Sequence, residues 1–388
     1  MREDILEQST DAAAGSVPIA VVVGSWLPFS ETFIFDLLRR QRRTRAWVIA
    51  GARTKDAERF PYAPVTHLGP FERLGFRYAG VAPGVSRALA RSQARLVLAH
   101  FGLNGAFVLP FARRRGLPLV VMFHGHDVGG LLACNRASPR YFRYQRSARE
   151  LFEYASLLLC ASEDLRENLR LCGAPEHKLA VHHLGIDVER LQPAPVPAPV
   201  EPRPPTVLMV GRCVEKKGMS YGLRAFRGLL ERVPEARLRI VGDGPLRSRL
   251  SREASALGIA AATTFLGSLA HPCVLDEMRR AHVLLTPSIT TARGDRESGV
   301  IVLKEAGALE LPVVATRHGG IPEIVEHERT GLLVEERAVP ELAEALTSLF
   351  QRPELAARLG AAAREKVLGT YDNRTRVPEL ERTLLRLL

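Results

Sequence analysis

The sequence predicts an α/β protein built from two doubly wound, Rossmann-like domains. Three observations carry the prediction. Each half alternates strand-sized apolar runs with helix-sized stretches, a proline-rich segment (LQPAPVPAPVEPRPP, 191–205) separates the halves, and 388 residues are more than one ordinary core holds. Strands alternating with helices of this length imply right-handed βαβ units and a parallel sheet. Alternating prolines form no core and favour an extended linker. The expected organisation is a first domain over 1–190, the linker, a second domain over 206–370, and a C-terminal helix over 371–388 packing back on the first domain.

In the first half, strands are expected at 18–23, 47–50, 96–100, 119–123 and 156–160. Helices are expected between them at 31–40, 83–95, 103–115, 140–154 and 163–172. In the second half, strands are expected at 206–210, 238–241, 263–266, 283–286, 312–315 and 330–334, with helices at 219–233 and 298–310. After Pro340 the pattern is helical almost to the end.

Composition bounds the function. With 46% hydrophobic and 25% charged residues this is a globular chain, and no apolar run approaches the ~20 residues of a membrane-spanning helix. The start, MREDILEQSTDAAAG, is polar and lacks an apolar signal core, so no secretory signal is expected and a cytoplasmic location follows. Five scattered cysteines show no metal spacing, which fits reduced thiols and no structural zinc. The net charge of +12 concentrates in runs such as RRQRRTR (39–45) and ARRRG (112–116). It fits an anionic membrane surface, phosphorylated substrates or an arginine-rich solvated surface. Nucleic acid is the weakest partner, because the basic runs lack interleaved aromatics and match no nucleic-acid module.

Ligands of open α/β sheets bind beyond the carboxyl ends of the strands, so the residues after each strand matter most. GRCVEKKG (211–218) offers Gly211 and Gly218 for tight backbone turns and Arg212 and Lys217 as cations beside a helix start, which suits a phosphate or diphosphate. GDGP (242–245) offers Gly242 and Gly244 for close backbone approach. TRHGGIPE (316–323) brings Gly319 and Gly320 to the same rim. In ESGVIVLKEAGALELPVVA (297–315) two acids, Glu297 and Glu305, stand eight residues apart. On a helix that is just over two turns, which would place both on one face about 12 Å apart. Carboxylates suit vicinal hydroxyls. Each motif alone is an ordinary turn or surface charge. Together they describe a site for phosphate plus two sets of hydroxyls, as in a nucleotide sugar.

The ordered set Gly211-Arg212…Lys217-Gly218, Gly242-Asp243-Gly244, Glu297…Glu305-Ala306 and Gly319-Gly320 resembles the retaining GT-B glycosyltransferases of family 4, over nearly all of residues 206–335. SETFI (30–34), AHFG (99–102) and FHGHD (123–127) resemble the bacterial exopolysaccharide and lipopolysaccharide branch of that family. The resemblance implies a GT-B fold, with an acceptor-binding and a donor-binding domain facing a central cleft. It implies retaining transfer of a hexose-type sugar from a nucleoside diphosphate donor, UDP first and GDP next, to a hydroxyl of a glycan, lipid-linked or small-molecule acceptor. No metal and no cofactor are expected. Arg212 and Lys217 would hold the diphosphate and Glu305 the ribose. Glu297 would face the donor sugar, and His124 would reach that sugar from the first domain. Gly24, Gly211, Gly242, Gly244, Ser298, Gly299 and Val300 would supply close backbone around the donor. For His100 and His126 a core or capping role is the better expectation. Ser298 stands where the family has glycine, and the first strand ends GSWLPFS rather than in a glycine pair. The implied setting is cell-surface polysaccharide or glycolipid assembly, with peripheral contact at the inner membrane face. The rival readings are transfer to a soluble natural product, a sugar-nucleotide epimerase, and a non-catalytic glycan or nucleotide binder.

Overall fold

The computed structural model describes residues 15–26, 31–54, 57–132, 139–193 and 204–388. The polar N-terminal stretch, Ser30 of SETFI and most of the proline-rich segment fall outside the described residues. The chain divides into two units, residues 1–185 with 373–388, and residues 186–372.

Unit 1 carries a seven-stranded sheet. Its strands are β1 (Val17–Val23), β2 (Thr44–Ala50), β3 (Val65–His67), β4 (Val97–His100), β5 (Leu119–Phe123), β6 (Leu157–Cys160) and β7 (Leu179–Val181), in the order β3-β2-β1-β4-β5-β6-β7. All pairings are parallel. Helices cover both faces of such a sheet, so its central strands read as continuous apolar runs rather than alternating ones. Ile19 through Val23 and Leu119 through Phe123 are indeed fully buried. The last helix, Asn373–Leu385, belongs to this unit. One oxygen of its buried Glu381 accepts the backbone N–H groups of Arg42, Arg43 and Thr44 at 3.0, 2.8 and 2.8 Å and the Thr44 hydroxyl at 2.9 Å.

Unit 2 carries six parallel strands: β8 (Thr206–Val210), β9 (Arg237–Val241), β10 (Thr263–Gly267), β11 (Val283–Thr286), β12 (Val313–Thr316) and β13 (Leu332–Val334). Their order is β10-β9-β8-β11-β12-β13. Successive side chains on β8 point to opposite faces. Val207 and Met209 join one core with Leu223, Phe226 and Ile240, while Leu208 joins another with Leu284, Leu303 and Val313. Residues 186–190, expected in the first domain, lie in this unit. The Ile186 N–H bonds the carbonyl of Tyr371, and Ile186 and Val188 enter the second core.

Strands β3 and β7 were not expected. At three residues each they are too short to show a period. One expected helix begins late: the stretch 298–310 is helical only from Ile301 to Ala308. Glu297 and Ser298 precede it, so the two glutamates do not share a helical face. The physical reason is non-local. The Glu297 N–H is held by His318, and its carbonyl accepts the N–H of Gly320 at 3.3 Å, which keeps the segment off a helical path.

Candidate functional site

The strand order of unit 2 reverses between β8 and β11, the place where open α/β sheets bind ligands. The loops after these two strands pack backbone against backbone. Gly218 has φ of +61°, and a Cβ there would lie 1.7 Å from the carbonyl oxygen of Pro287. Only glycine allows that approach. Gly319, with φ of +50°, likewise rests on the carbonyl oxygen of Glu297, 2.1 Å from where a Cβ would stand. Three segments distant in sequence are thereby locked into one rim.

Charges meet on this rim. Lys217 Nζ donates to Glu297 Oε2 at 3.1 Å, and Lys216 Nζ lies 4.0 Å from Glu297 Oε1. Lys216 is buried and also donates to Asp295 at 3.1 Å. Burial alone would push the Glu297 carboxyl up. Lys217, then Lys216 and the Lys217 hydrogen bond, outweigh it and hold the group below the ordinary carboxylate range. Glu297 is therefore ionised at neutral pH. Its Oε1 is buried with no hydrogen-bond partner among the described residues, so this oxygen keeps unused acceptor capacity.

His318 fixes the backbone under that carboxylate. The Glu297 N–H donates to His318 Nε2 at 2.9 Å, so Nε2 carries the lone pair and Nδ1 the proton, donated to Glu336 Oε1 at 2.7 Å. Glu336 in turn accepts the N–H and the hydroxyl of Thr290, each at 2.8 Å. His318 is fully enclosed, and burial, its main influence, lowers its pKa despite the Glu336 contact. The neutral imidazole matches the hydrogen-bond pattern.

Glu305 is buried on the helix Ile301–Ala308, and its Oε1 lies 2.6 Å from His271 Nε2. His271 opens the helix His271–Arg280 that follows β10. Gly211 and exposed Arg212 directly follow β8, with Arg212 turned to solvent. Gly242 and Gly244 flank a turn whose Asp243 carbonyl accepts the Cys213 N–H at 2.9 Å, so these glycines pack against the loop after β8. Ser298 and Val300 are buried and Gly299 half-buried between Glu297 and the helix. The structure thus gathers Gly211, Lys217, Glu297, Ser298, Gly299 and Val300 at the switch point, with Glu305 one helix-turn deeper. Of the partners missed by sequence reasoning, Lys216 had a signal, as one of two adjacent lysines in the loop. His271, His318 and Glu336 had none beyond being polar residues near strand ends.

In unit 1 the strand order reverses between β1 and β4, and here a second group assembles. Gly24 follows β1, beside the side chain of Asn104, 3.6 Å from where a Cβ would stand. His124, after β5, lies 3.1 Å by Nε2 from Nδ1 of His100 at the end of β4, with the two rings nearly parallel. Burial pushes His100 down to about 4, so it is neutral and serves as a fixed partner for His124. Phe33 and Phe101 enclose the His124 ring at 5.0 and 4.5 Å. Asp127, also buried, accepts the N–H groups of Gly102 at 2.8 Å and Gly125 at 2.9 Å and so braces the turn that presents His124. The side chain of His126 lies outside the described residues.

The model of the Glycosyltransferase Family 4 group matches residues 30–190, and that of Glycosyl transferases group 1 matches residues 196–366. A putative colanic acid biosynthesis glycosyltransferase, WcaL of Escherichia coli, is 35% identical over 71% of this chain and 66% of its own length, just under two thirds. A GDP-mannose-dependent alpha-(1-6)-phosphatidylinositol monomannoside mannosyltransferase of Mycolicibacterium smegmatis is 30% identical over 92% of this chain and 93% of its own. The crystal structure of Anabaena Alr3699/HepE in complex with UDP and glucose superposes with a TM-score of 0.78 at 21% identity, covering 95% of this chain and 99% of that one. That likeness shows a shared fold, the GT-B architecture.

Proposed function

The chain belongs to the group 1, family 4 glycosyltransferases of GT-B fold, and from that premise we propose that it moves a hexose-type sugar from a nucleoside diphosphate sugar to an acceptor hydroxyl with retention at the anomeric carbon. The observation that carries the reading is the ionised, buried Glu297 carboxylate clasped by Lys217 at the unit 2 switch point, with one carboxylate oxygen lacking a hydrogen-bond partner among the described residues.

Lys217 and Arg212 meet the diphosphate, and their charge stabilises the departing phosphate, so the reading assigns that role to no metal or cofactor. Glu305 accepts from the ribose hydroxyls, with His271 holding one carboxylate oxygen in place. Glu297 faces the donor sugar and stabilises positive charge developing at the anomeric carbon. His124 is assigned a contact with the donor sugar. No enzymic base is assigned: the leaving phosphate takes the acceptor proton. GDP-mannose in the name of the long mycobacterial relative brings guanosine level with uridine as the donor base. The colanic acid and phosphatidylinositol monomannoside names of the relatives support polysaccharide or glycolipid assembly, which the reading sets in the cytoplasm, at the membrane face. Among the described residues no helix is long and apolar enough to cross a membrane.

The test is incubation with UDP- and GDP-hexoses and a lipid-linked acceptor pool, following nucleoside diphosphate release and the anomer formed at early times by proton NMR. Release from one donor, with the donor's anomeric configuration kept, is expected. An inverted product overturns retention. Interconversion of the nucleotide sugar without transfer points to an epimerase.

A further inference from the structure

Eight large apolar side chains stand exposed among the described residues, and four of them, Phe71, Leu74, Tyr78 and Val81, fall within one short stretch of unit 1. Phe71 is 88% exposed. The stretch is the helix Pro70–Leu74, which continues as a single wider turn over Gly75–Ala79. Residues 71, 74 and 78 follow the i, i+3, i+7 spacing of one helical face. The opposite side is also apolar: Phe76 is buried and meets Phe107 and Phe111 with ring centroids 5.8 and 5.9 Å away. A surface helix normally turns its polar side outward. This one buries one apolar side and presents another to solvent.

The rim of the strip is cationic. Arg73 and Arg77 belong to the same segment, and Arg143 reaches it from the helix Pro139–Tyr154, donating to the carbonyl of Phe76 at 2.8 Å. Its one acid, Glu72, is engaged: it accepts the Gly84 N–H at 2.6 Å and lies 3.6 Å from Arg87. The basic runs that stood out in the sequence are partly used within the fold. Arg113 pairs with Glu150, Arg39 with Asp36, and Arg115 bonds the carbonyl of Ser86. Bare charge count therefore does not locate the surface, whereas the apolar strip does.

We propose that residues 70–81 form a membrane-docking strip that lies flat at the surface of an anionic phospholipid bilayer, Phe71, Leu74, Tyr78 and Val81 entering the interface and Arg73, Arg77 and Arg143 meeting lipid phosphates. Bulky apolar groups with a basic rim are the chemistry of helices that lie in the interface plane, and each basic side chain near an anionic leaflet adds to the attraction. Area favours a lipid surface over a protein partner. The four side chains expose on the order of 500 Å², short of the about 800 Å² that each partner of a standard protein interface buries. A second copy of this chain would also set one arginine rim against another. The inference deepens the proposed assembly of polysaccharide or glycolipid, and its test needs neither donor nor acceptor, so its failure leaves the transfer reading standing.

The test is cosedimentation of the full chain with vesicles of phosphatidylcholine alone or with about one third phosphatidylglycerol, at low and high salt. Phe71→Ser/Leu74→Ser and Arg73→Gln/Arg77→Gln are compared with the parent chain. Of the four substituted positions, Phe71 and Leu74 are exposed and Arg73 and Arg77 half-exposed, and unchanged thermal melting checks that the fold is kept. Binding to anionic vesicles is expected, weakened at least tenfold by the serine pair and reduced by the glutamine pair. Part of the binding survives high salt, because apolar insertion is not screened. Tyr78→Trp fluorescence is expected to be quenched by brominated lipid. No binding to anionic vesicles at low salt overturns the proposal. So does binding that the serine pair leaves unchanged with Trp fluorescence unquenched. A concentration-dependent dimer abolished by the serine pair, without vesicle binding, would reassign the strip to a contact between copies.

Discussion

Replacing Lys217 by Met removes one half of a nearly buried ion pair while keeping the length of the side chain. Lys217 and Glu297 side chains are 16% and 11% exposed, with 3.1 Å between Nζ and Oε2. Breaking a buried pair by deleting one partner costs about 3–5 kcal/mol, because the other charge is left uncompensated. Here Lys216 remains 4.0 Å from the other oxygen, so about 2–3 kcal/mol is expected. Glu297→Gln removes the charge from the other side, and the double variant loses both. Urea unfolding of the four proteins gives a double-mutant cycle, with a coupling of about 1–3 kcal/mol expected at pH 7. The pH dependence has a definite sign. The Glu297 carboxyl sits below its ordinary value of 4.5 in the folded chain. Its contribution is therefore full above about 4.5, the unfolded value, and is lost as pH falls through the lower folded value. A coupling under about 0.5 kcal/mol at pH 7 would refute the idea that the two side chains act as a unit. So would a coupling that vanished between pH 7 and 5.

Three further outcomes follow from the same geometry. Glu305→Ala should weaken nucleotide binding about ten- to a hundredfold, the worth of charge-assisted hydrogen bonds to two hydroxyls, with turnover at saturating donor changed less; calorimetric titration and steady-state rates separate the two. His318→Phe should lower turnover about ten- to a hundredfold by releasing the backbone under Glu297, with a smaller change in nucleotide affinity. In the parent chain the rate should fall on the acid side, because His318 is depressed below 6.5 and loses its Nε2 lone pair as pH drops through that lower value; a pH profile unchanged in the variant would remove His318 from this role. Glu381→Ala strips the acceptor from four donors and should destabilise unit 1 by about 3 kcal/mol, read as a lower urea midpoint at constant slope. An unshifted midpoint would mean that the last helix is not anchored through this carboxylate.

Much of the fold was legible because parallel strands buried on both faces read as solid apolar runs, and β1, β5, β8 and β11 lie within a residue of where those runs put them. Knowing the strand ends also located the candidate site, since Gly211, Lys217 and Glu297 follow strand ends. What the sequence could not show was contact between segments far apart. The helix after Glu297 was drawn too long because SGVIVL has no local breaker strong enough to mark a boundary. The boundary comes from His318, twenty-one residues on, which captures the Glu297 N–H. The inner acid–base partners were hidden for the same reason: His271 meets Glu305, and Glu336 meets His318, only after β10, β12 and β13 are in register. Lys304 gives no signal at all. It reads as a surface lysine on a helix, yet it is fully buried with its Nζ 4.4 Å from the centre of the Tyr371 ring. Glycines read as room for a ligand proved in part to be room for neighbouring backbone, as at Gly218 and Gly319.

The central claim is that the rim joining Lys217, Glu297 and Glu305 binds a nucleoside diphosphate. Thermal melting of the full chain with UDP, GDP, ADP, TDP or no ligand tests it most directly. A nucleotide at about one hundred times its dissociation constant stabilises the folded form by about 2.7 kcal/mol. A clear rise in melting temperature with UDP or GDP, absent from Glu305→Ala and reduced in Lys217→Met, is the predicted result. No rise with any of the four nucleotides, or a rise that both variants keep in full, would contradict it.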